Sequence, residues 1–271
     1  MQRTLRFKLS PTPEQAVILL DTLRLHTACF NAVAAYGWEQ REKNGVTLHK
    51  ATYYPLREQY PTLPAQLVVA ARMRATEAVK SALTREKRGK KAKQPISTLT
   101  PIRYDQRSYT PRLSAGIVSL ATTAGRQEVA LKLYPYAAAM LATATGFDSA
   151  DLIYRKGQLW IHLVLTLVVP TVAQNDDVIG VDFGITRPAV ASHNRFFGQR
   201  SWKNVERRYF RLKRQLQAKG TPSAKRHLKK LAGKVQRFRT DCDHVVSRRI
   251  VQSVSPGTTI VVENLDEIRK R

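Results

Sequence analysis

VIGVDFGITRPAVAS, residues 178–192, holds an apolar strand, a glycine-containing turn and a second apolar run, with one carboxylate, Asp182, set among apolar neighbours. The pattern predicts a β-hairpin at the start of a new domain. An ionised acid in the middle of such a strand is costly to bury unless a cation or donors compensate it. TTIVVEN, residues 258–264, reads as a buried strand ending in a second acid, Glu263. Two strands of one sheet can set these acids side by side. In nucleases that cut phosphodiesters, clustered carboxylates hold Mg²⁺ ions about 3.5–4 Å apart, one activating water and the other stabilising the leaving oxygen. Taken singly, each acid is better explained by capping a turn or pairing with an arginine. As an ordered pair with basic helices between them, Asp182 and Glu263 favour a metal site. They are the candidate catalytic and metal-ligating residues, with Mg²⁺ as the expected cofactor.

The segment between the two acids supports a polyanionic partner. Two helical stretches broken at Gly220–Thr221–Pro222 carry Arg207, Arg208, Arg211, Lys213, Arg214, Lys225, Arg226, Lys229, Lys230 and further cations, and Glu206 is the only acid between Trp202 and Thr240. So lopsided a face repels itself, and phosphate contacts that release counterions relieve the repulsion. The whole chain shares the bias: 271 residues hold 46 Lys+Arg against 20 Asp+Glu, a formal net charge of +26.

Upstream, residues 1–10 alternate, with Leu5, Phe7 and Leu9 on one side and Arg6 and Lys8 on the other, which predicts a half-buried strand. Pro11, Thr12, Pro13 and Glu14 mark a helix start, and apolar residues recur at helical spacing from Val17 to Trp38. A polar break at 43–45 and a short segment through Tyr54 precede a second helix from Pro64 to about Thr84. REKRGKKAK, 85–93, reads as a mobile linker or a polyanion contact rather than packed structure, offering Lys87, Arg88, Lys90 and Lys91. Arg72 and Arg74 could clasp a nucleic-acid duplex, although core packing explains much of that helix. From Ile102 to Val169 four strand-like runs follow one another. In the first, IRYDQRSY, Arg103, Tyr104 and Arg107 interleave cation and aromatic, suited to gripping phosphate and stacking bases, although an exposed barrel strand explains the run nearly as well. The helical block therefore looks like an insertion between the first strand and the rest of a β-barrel.

Other classes are excluded or weakened. Cys29 and Cys242 make no C-x-x-C pair, so no cysteine-based zinc site arises within this chain. The phosphate-binding glycine signatures of NTPases and dinucleotide enzymes are missing, as is a His-hydrophobe-His arrangement with a tyrosine nucleophile. The longest apolar stretch, Leu159–Val169, is interrupted by His162 and Thr166, so no membrane partner is expected and the expected location is cytoplasmic, at the nucleoid. His162 reads as a core histidine, and Asp241-x-Asp243-His244 as structural hydrogen bonding.

LRFKLSPTPEQ, the helix carrying Phe30-Asn31, IRYDQRSY, LIYRKGQLWIHL, GVDFGITRPAVAS, KGTPSAKRHLKKLAGKVQRF, DHVVSRRIV and IVVENL, in this order, resemble the transposon-associated TnpB (OrfB) family, relatives of the type V CRISPR effectors. GVDFGI is similar to the first catalytic motif of a RuvC-like nuclease domain and IVVENL to the second, which gives Asp182 and Glu263 metal-ligand roles. The resemblance implies a mixed α/β and β multidomain protein: a wedge-like β-barrel (1–10 and 95–172), a helical recognition insertion with its basic linker (11–94), and an RNase H-like domain (176–271). It implies a guide RNA and target DNA as partners, with pairing supplying sequence specificity. Family members continue into paired C-x-x-C motifs and a third catalytic aspartate. Neither occurs in this sequence, so the resemblance implies a member cut short, requiring a C-terminal fragment in trans to cleave. The alternatives are a cleavage-inactive RNA-guided repressor and a general RNA-binding protein.

Overall fold

The computed structural model describes residues 1–169, 171, 174–184 and 187–263. It divides into two compact units, Met1–Val169 and Pro170–Arg271.

The first unit is built on a seven-stranded antiparallel sheet with β1 (Gln2–Ser10) at its centre. β1 pairs along Gln2–Lys8 with β7 (Gln158–Leu167), and at Leu9 and Ser10 with β5 (Gly125–Leu131). The alternation in its sequence decides its faces: Leu5, Phe7 and Leu9 are buried, while Arg6 and Lys8 are exposed. β2 (Ile102–Tyr104) and β6 (Ala144–Arg155) extend the sheet on the β7 side, β4 (Ile117–Thr122) and β3 (Tyr109–Arg112) on the other. β6 and β7 form a hairpin whose two turn residues, Lys156 and Gly157, both have positive φ (53° and 76°), the turn that matches strand twist.

Three helices are inserted between β1 and β2. α1 (Pro13–Glu39) begins with a reciprocal capping box: the Gln15 N–H donates to Thr12 Oγ1 at 3.2 Å and the Thr12 N–H to Gln15 Oε1 at 3.1 Å. Among the described residues α1 is the one helix long and apolar enough to cross a membrane. Leu19, Leu23, Phe30 and Val33 lie instead in the core of this unit. α2 (Gly45–Gln59), capped by Asn44, occupies a segment read only as a break and a short run; Pro55 sits inside it. α3 (Ala65–Lys87) runs three residues past the expected stop and so takes in the start of the basic stretch.

The remainder of that stretch departs from a free linker. Asn31 of α1 donates to Ser97 O and accepts from the Ser97 N–H, both at 2.9 Å, and the buried Thr100 N–H donates to Thr27 Oγ1 at 2.8 Å. Residues 97–100 are thus anchored to α1, and the basic residues before them remain exposed. α4 (Pro135–Ala142), absent from the strand reading, crosses between β5 and β6.

The second unit has a four-stranded sheet in the order β10 (Phe196–Phe197), β9 (Ala189–Ala191), β8 (Val178–Asp182), β11 (Thr259–Val262). β8 and β9 form the expected hairpin, with Val181 opposite Ala191 and Asp182 opposite Val190. Between β10 and β11 come α5 (Ser201–Lys219) and α6 (Pro222–Gln252). Ile179, Val181, Ala189, Ala191 and Phe197 of the sheet pack with Val246 and Ile250 of α6. Two expectations are corrected. β11 is an exposed edge strand, because among the described residues it has a paired neighbour on one side only. Asp182 ends β8 and is exposed, so no burial cost forces a partner on it.

Candidate metal centre and nucleic-acid surface

β8 and β11 are neighbours in parallel register, Ile260 opposite Ile179, Val261 opposite Gly180 and Val262 opposite Val181. Asp182 ends β8 and Glu263 directly follows β11, each one step past the last paired residues, Val181 and Val262. Adjacent strands lie about 4.8 Å apart and residues in register point to the same face, so one further step of that register would set the two carboxylates on one face. Gly180, with no side chain, and Val261 lie on that face behind them. Val178 (66% exposed) and Val261 (50% exposed) leave it open to solvent. Among the described residues neither acid forms an ion pair.

The opposite face is turned toward α6. Val181, Phe183, Ile260 and Val262 line an apolar cleft of about 440 Å³ with Val246 and Ile250 of α6, and Asp243 sits in its wall. Strand alternation therefore puts Asp243 across the sheet from Asp182 and Glu263. Among the described residues no three His, Cys, Asp or Glu side chains gather as a metal cluster. Two oxygen donors at an open strand edge suit a hard cation that keeps several waters and shares a substrate phosphate. The residues present fit one Mg²⁺ on two carboxylates.

The Ser192 N–H donates to Gly180 O at 2.8 Å, and the Gly180 N–H donates to Ser192 Oγ at 3.3 Å. These bonds hold the strand leading to Asp182. No sequence signal marks Ser192, because its role depends on hairpin register.

The nucleic-acid candidates divide. Lys87, Arg88, Lys90 and Lys91 are exposed. Arg88 and Lys90 share a groove with Lys80 and Arg85, where Glu77 is the one acid. Arg208, Arg211, Arg214, Lys225, Arg226, Lys229 and Lys230 are exposed along α5 and α6. Three candidates in the first unit are corrected. Tyr104 is fully buried and its hydroxyl donates to Ala121 O at 3.1 Å, so it cannot stack on a base. Arg74 donates to Asp151 at 2.9 Å from a largely buried position, a pairing within the fold. Arg72 is half-buried, and burial pulls its guanidinium below the usual arginine range. Arg103 is exposed but lies 3.5 Å from the same Asp151, and Arg107 is exposed.

His162 of β7 is half-buried, opposite both Arg6 and Asp151; burial and then Arg6 pull it down, and Asp151 opposes them. His26, which drew no attention in the sequence, is fully buried on α1 with neither ring nitrogen hydrogen-bonded to a protein group.

Residues 162–267 match a family model described as OrfB_IS605, probable transposase. The fold is similar to that of a protein solved in a cryo-EM structure of a Cas12f1–sgRNA–target DNA complex, with a TM-score of 0.61 at 11% sequence identity, covering 100% of this chain and 82% of that one. At that identity the likeness is one of fold. Among curated proteins none matches the sequence. Residues 162–267 are thus similar to the OrfB_IS605 transposase family.

Proposed function

We propose that this chain is an RNA-guided DNA-binding protein of transposon origin whose second unit is a RuvC-like, Mg²⁺-dependent endonuclease domain. The observation that carries the reading is the parallel register of β8 and β11, which, continued by one residue, would set Asp182 and Glu263 side by side. There they would hold a divalent ion against a phosphodiester strand. Such an ion supplies Lewis-acid polarisation of the phosphate and activation of water. The exposed cations of α5 and α6 would hold the nucleic-acid backbone near the two acids, and the match to the OrfB family and the Cas12f1-like fold agree with guide RNA and target DNA as partners.

A second reading is favoured by one observation: among the described residues no third carboxylate joins the pair. A two-ion centre would need a further ligand from elsewhere, such as a fragment acting in trans. Without it the chain would occupy guide-matched DNA without cutting, and repress transcription nearby.

The test supplies purified protein, its native guide, Mg²⁺ and matched DNA, with Asp182→Ala alongside. Cutting by the wild type and its loss in the variant, with binding retained, supports the nuclease. A guide-dependent footprint with no product supports the repressor. Equal cutting by both proteins removes Asp182 from the mechanism, and binding indifferent to guide-complementary DNA removes both readings.

A further inference from the structure

The α5/α6 pair carries its cations on two opposite sides. The seam between the helices is fixed by Tyr209 against Phe238, ring centroids 6.0 Å apart, and by Arg239 Nε donating to Glu206 at 2.9 Å. Glu206, the only acid between Trp202 and Thr240, is thereby paired with Arg239 across the exposed seam of the hairpin. Among the described residues the other cations of that stretch have no carboxylate partner.

At about 100° per residue, Arg207, Arg211 and Arg214 lie about 140–200° around α5 from Tyr209. On α6, Leu228, Leu231, Val235 and Phe238 are half-buried or buried, whereas Arg226, Lys230 and Arg237 are exposed. These three lie about 100–180° around the helix from the middle of that inner row. Each of these two rows thus faces away from the partner helix, while Lys213 and Arg239 line the seam. With axes about 8–10 Å apart and long side chains beyond them, the two outer rows stand roughly 20 Å from each other.

That spacing decides how the surface can be used. A DNA major groove is about 12 Å wide and admits one helix. A two-helix hairpin is too broad to enter a groove and meet both flanking backbones of one duplex. We propose that the hairpin holds two separate phosphodiester backbones, one on the Arg207/Arg211/Arg214 row and one on the Arg226/Lys230/Arg237 row, and so stands between two nucleic-acid segments. The inference rests on the nucleic-acid-binding reading above and adds its two-sidedness. Mutual repulsion also favours this layout, because placing the rows apart lets each recruit its own polyanion.

The experiment uses the full chain, a random-sequence 12-base-pair duplex prepared in donor-labelled and acceptor-labelled pools, and two variants, Arg207→Gln/Arg211→Gln/Arg214→Gln and Arg226→Gln/Lys230→Gln/Arg237→Gln. Wild type brings donor and acceptor duplexes together and gives energy transfer. Each variant is expected to lose that transfer while still binding one duplex, with the slope of log K against log salt shallower by about 2.7 for three lost phosphate contacts. Exposed glutamines suit a helix, and circular dichroism checks that the fold is kept. Loss confined to one variant shows a one-sided surface and overturns the proposal. If neither variant changes affinity or salt slope, the hairpin does not bind phosphodiesters, and the proposal falls with the nucleic-acid reading of these helices.

Discussion

Val262 lies opposite Val181 in parallel register, and both turn into the apolar cleft covered by α6. The residue after each is a carboxylate: Asp182 ends β8, and Glu263 directly follows β11. Val181 packs against Val246 and Ile250 of α6, so that packing bears on the position of Asp182 next to it.

Since both acids are exposed, Asp182→Asn and Glu263→Gln should leave the melting temperature within about 1 °C of wild type. Either change should weaken Mn²⁺ binding, followed by electron paramagnetic resonance, by tenfold or more, since a two-carboxylate site loses half its charge. Unchanged Mn²⁺ affinity in both variants would dissociate the pair from metal binding.

The first unit should weaken in acid through His26. Its ring is fully buried, and burial first, then the nearby Arg74 charge, push its pKa down from 6.5 to about 3. The unfolded chain therefore takes up a proton near pH 6.5 that the folded one refuses until about pH 3. This contribution to stability is complete above pH 6.5, declines as pH falls through the window and is gone near pH 3. In urea unfolding at pH 8 and pH 5, His26→Leu should be more favourable relative to wild type at pH 5. Equal effects at both pH values would show that His26 does not titrate in this way.

Some of this was legible because local chemistry decides it. Pro11, Thr12, Pro13 and Glu14 announce α1, Leu5, Phe7 and Leu9 announce the buried side of β1, and 178–192 announce a hairpin. α2 was hidden because Pro55 suggests a break, while the Asn44 cap and its Leu48, Thr52, Leu56 inner face carry the helix through. The IRYDQRSY run is ambiguous because alternation says only that neighbours face opposite ways. Tertiary packing turned Tyr104 inward and Arg103 outward. β11 looked buried because it is apolar; its exposure depends on edge position, which no local pattern encodes. That β8 and β11 are neighbours is a matter of strand order and register, which no local pattern encodes.

Arg74 and Arg88 should separate structural from nucleic-acid roles. Arg74 makes a charged hydrogen bond to Asp151 with both side chains mostly buried. Arg74→Gln should cost about 1.5–3 kcal/mol in chemical unfolding and leave the salt slope of nucleic-acid binding alone. Arg88 is exposed, so Arg88→Gln should do the reverse, lowering the slope by about 0.9 with no loss of stability. The opposite assignment of effects would return Arg74 to the binding surface.

Gly198 should resist replacement. Its φ is +91°, and a Cβ there would come 2.5 Å from Pro188 Cγ and 2.9 Å from Pro188 Cδ. Proline cannot swing aside as a flexible side chain does, and an L-residue is strained at this φ. Gly198→Ala should cost at least about 1–3 kcal/mol. The strain falls between Phe197 of β10 and Pro188 at the start of β9, and β9 holds β8 through Val190 and Asp182. The same variant should therefore lower metal affinity at Asp182 as well as stability, whereas Asp182→Asn lowers metal affinity alone. A fully stable Gly198→Ala would show that this corner of the sheet can relax without disturbing the acidic edge.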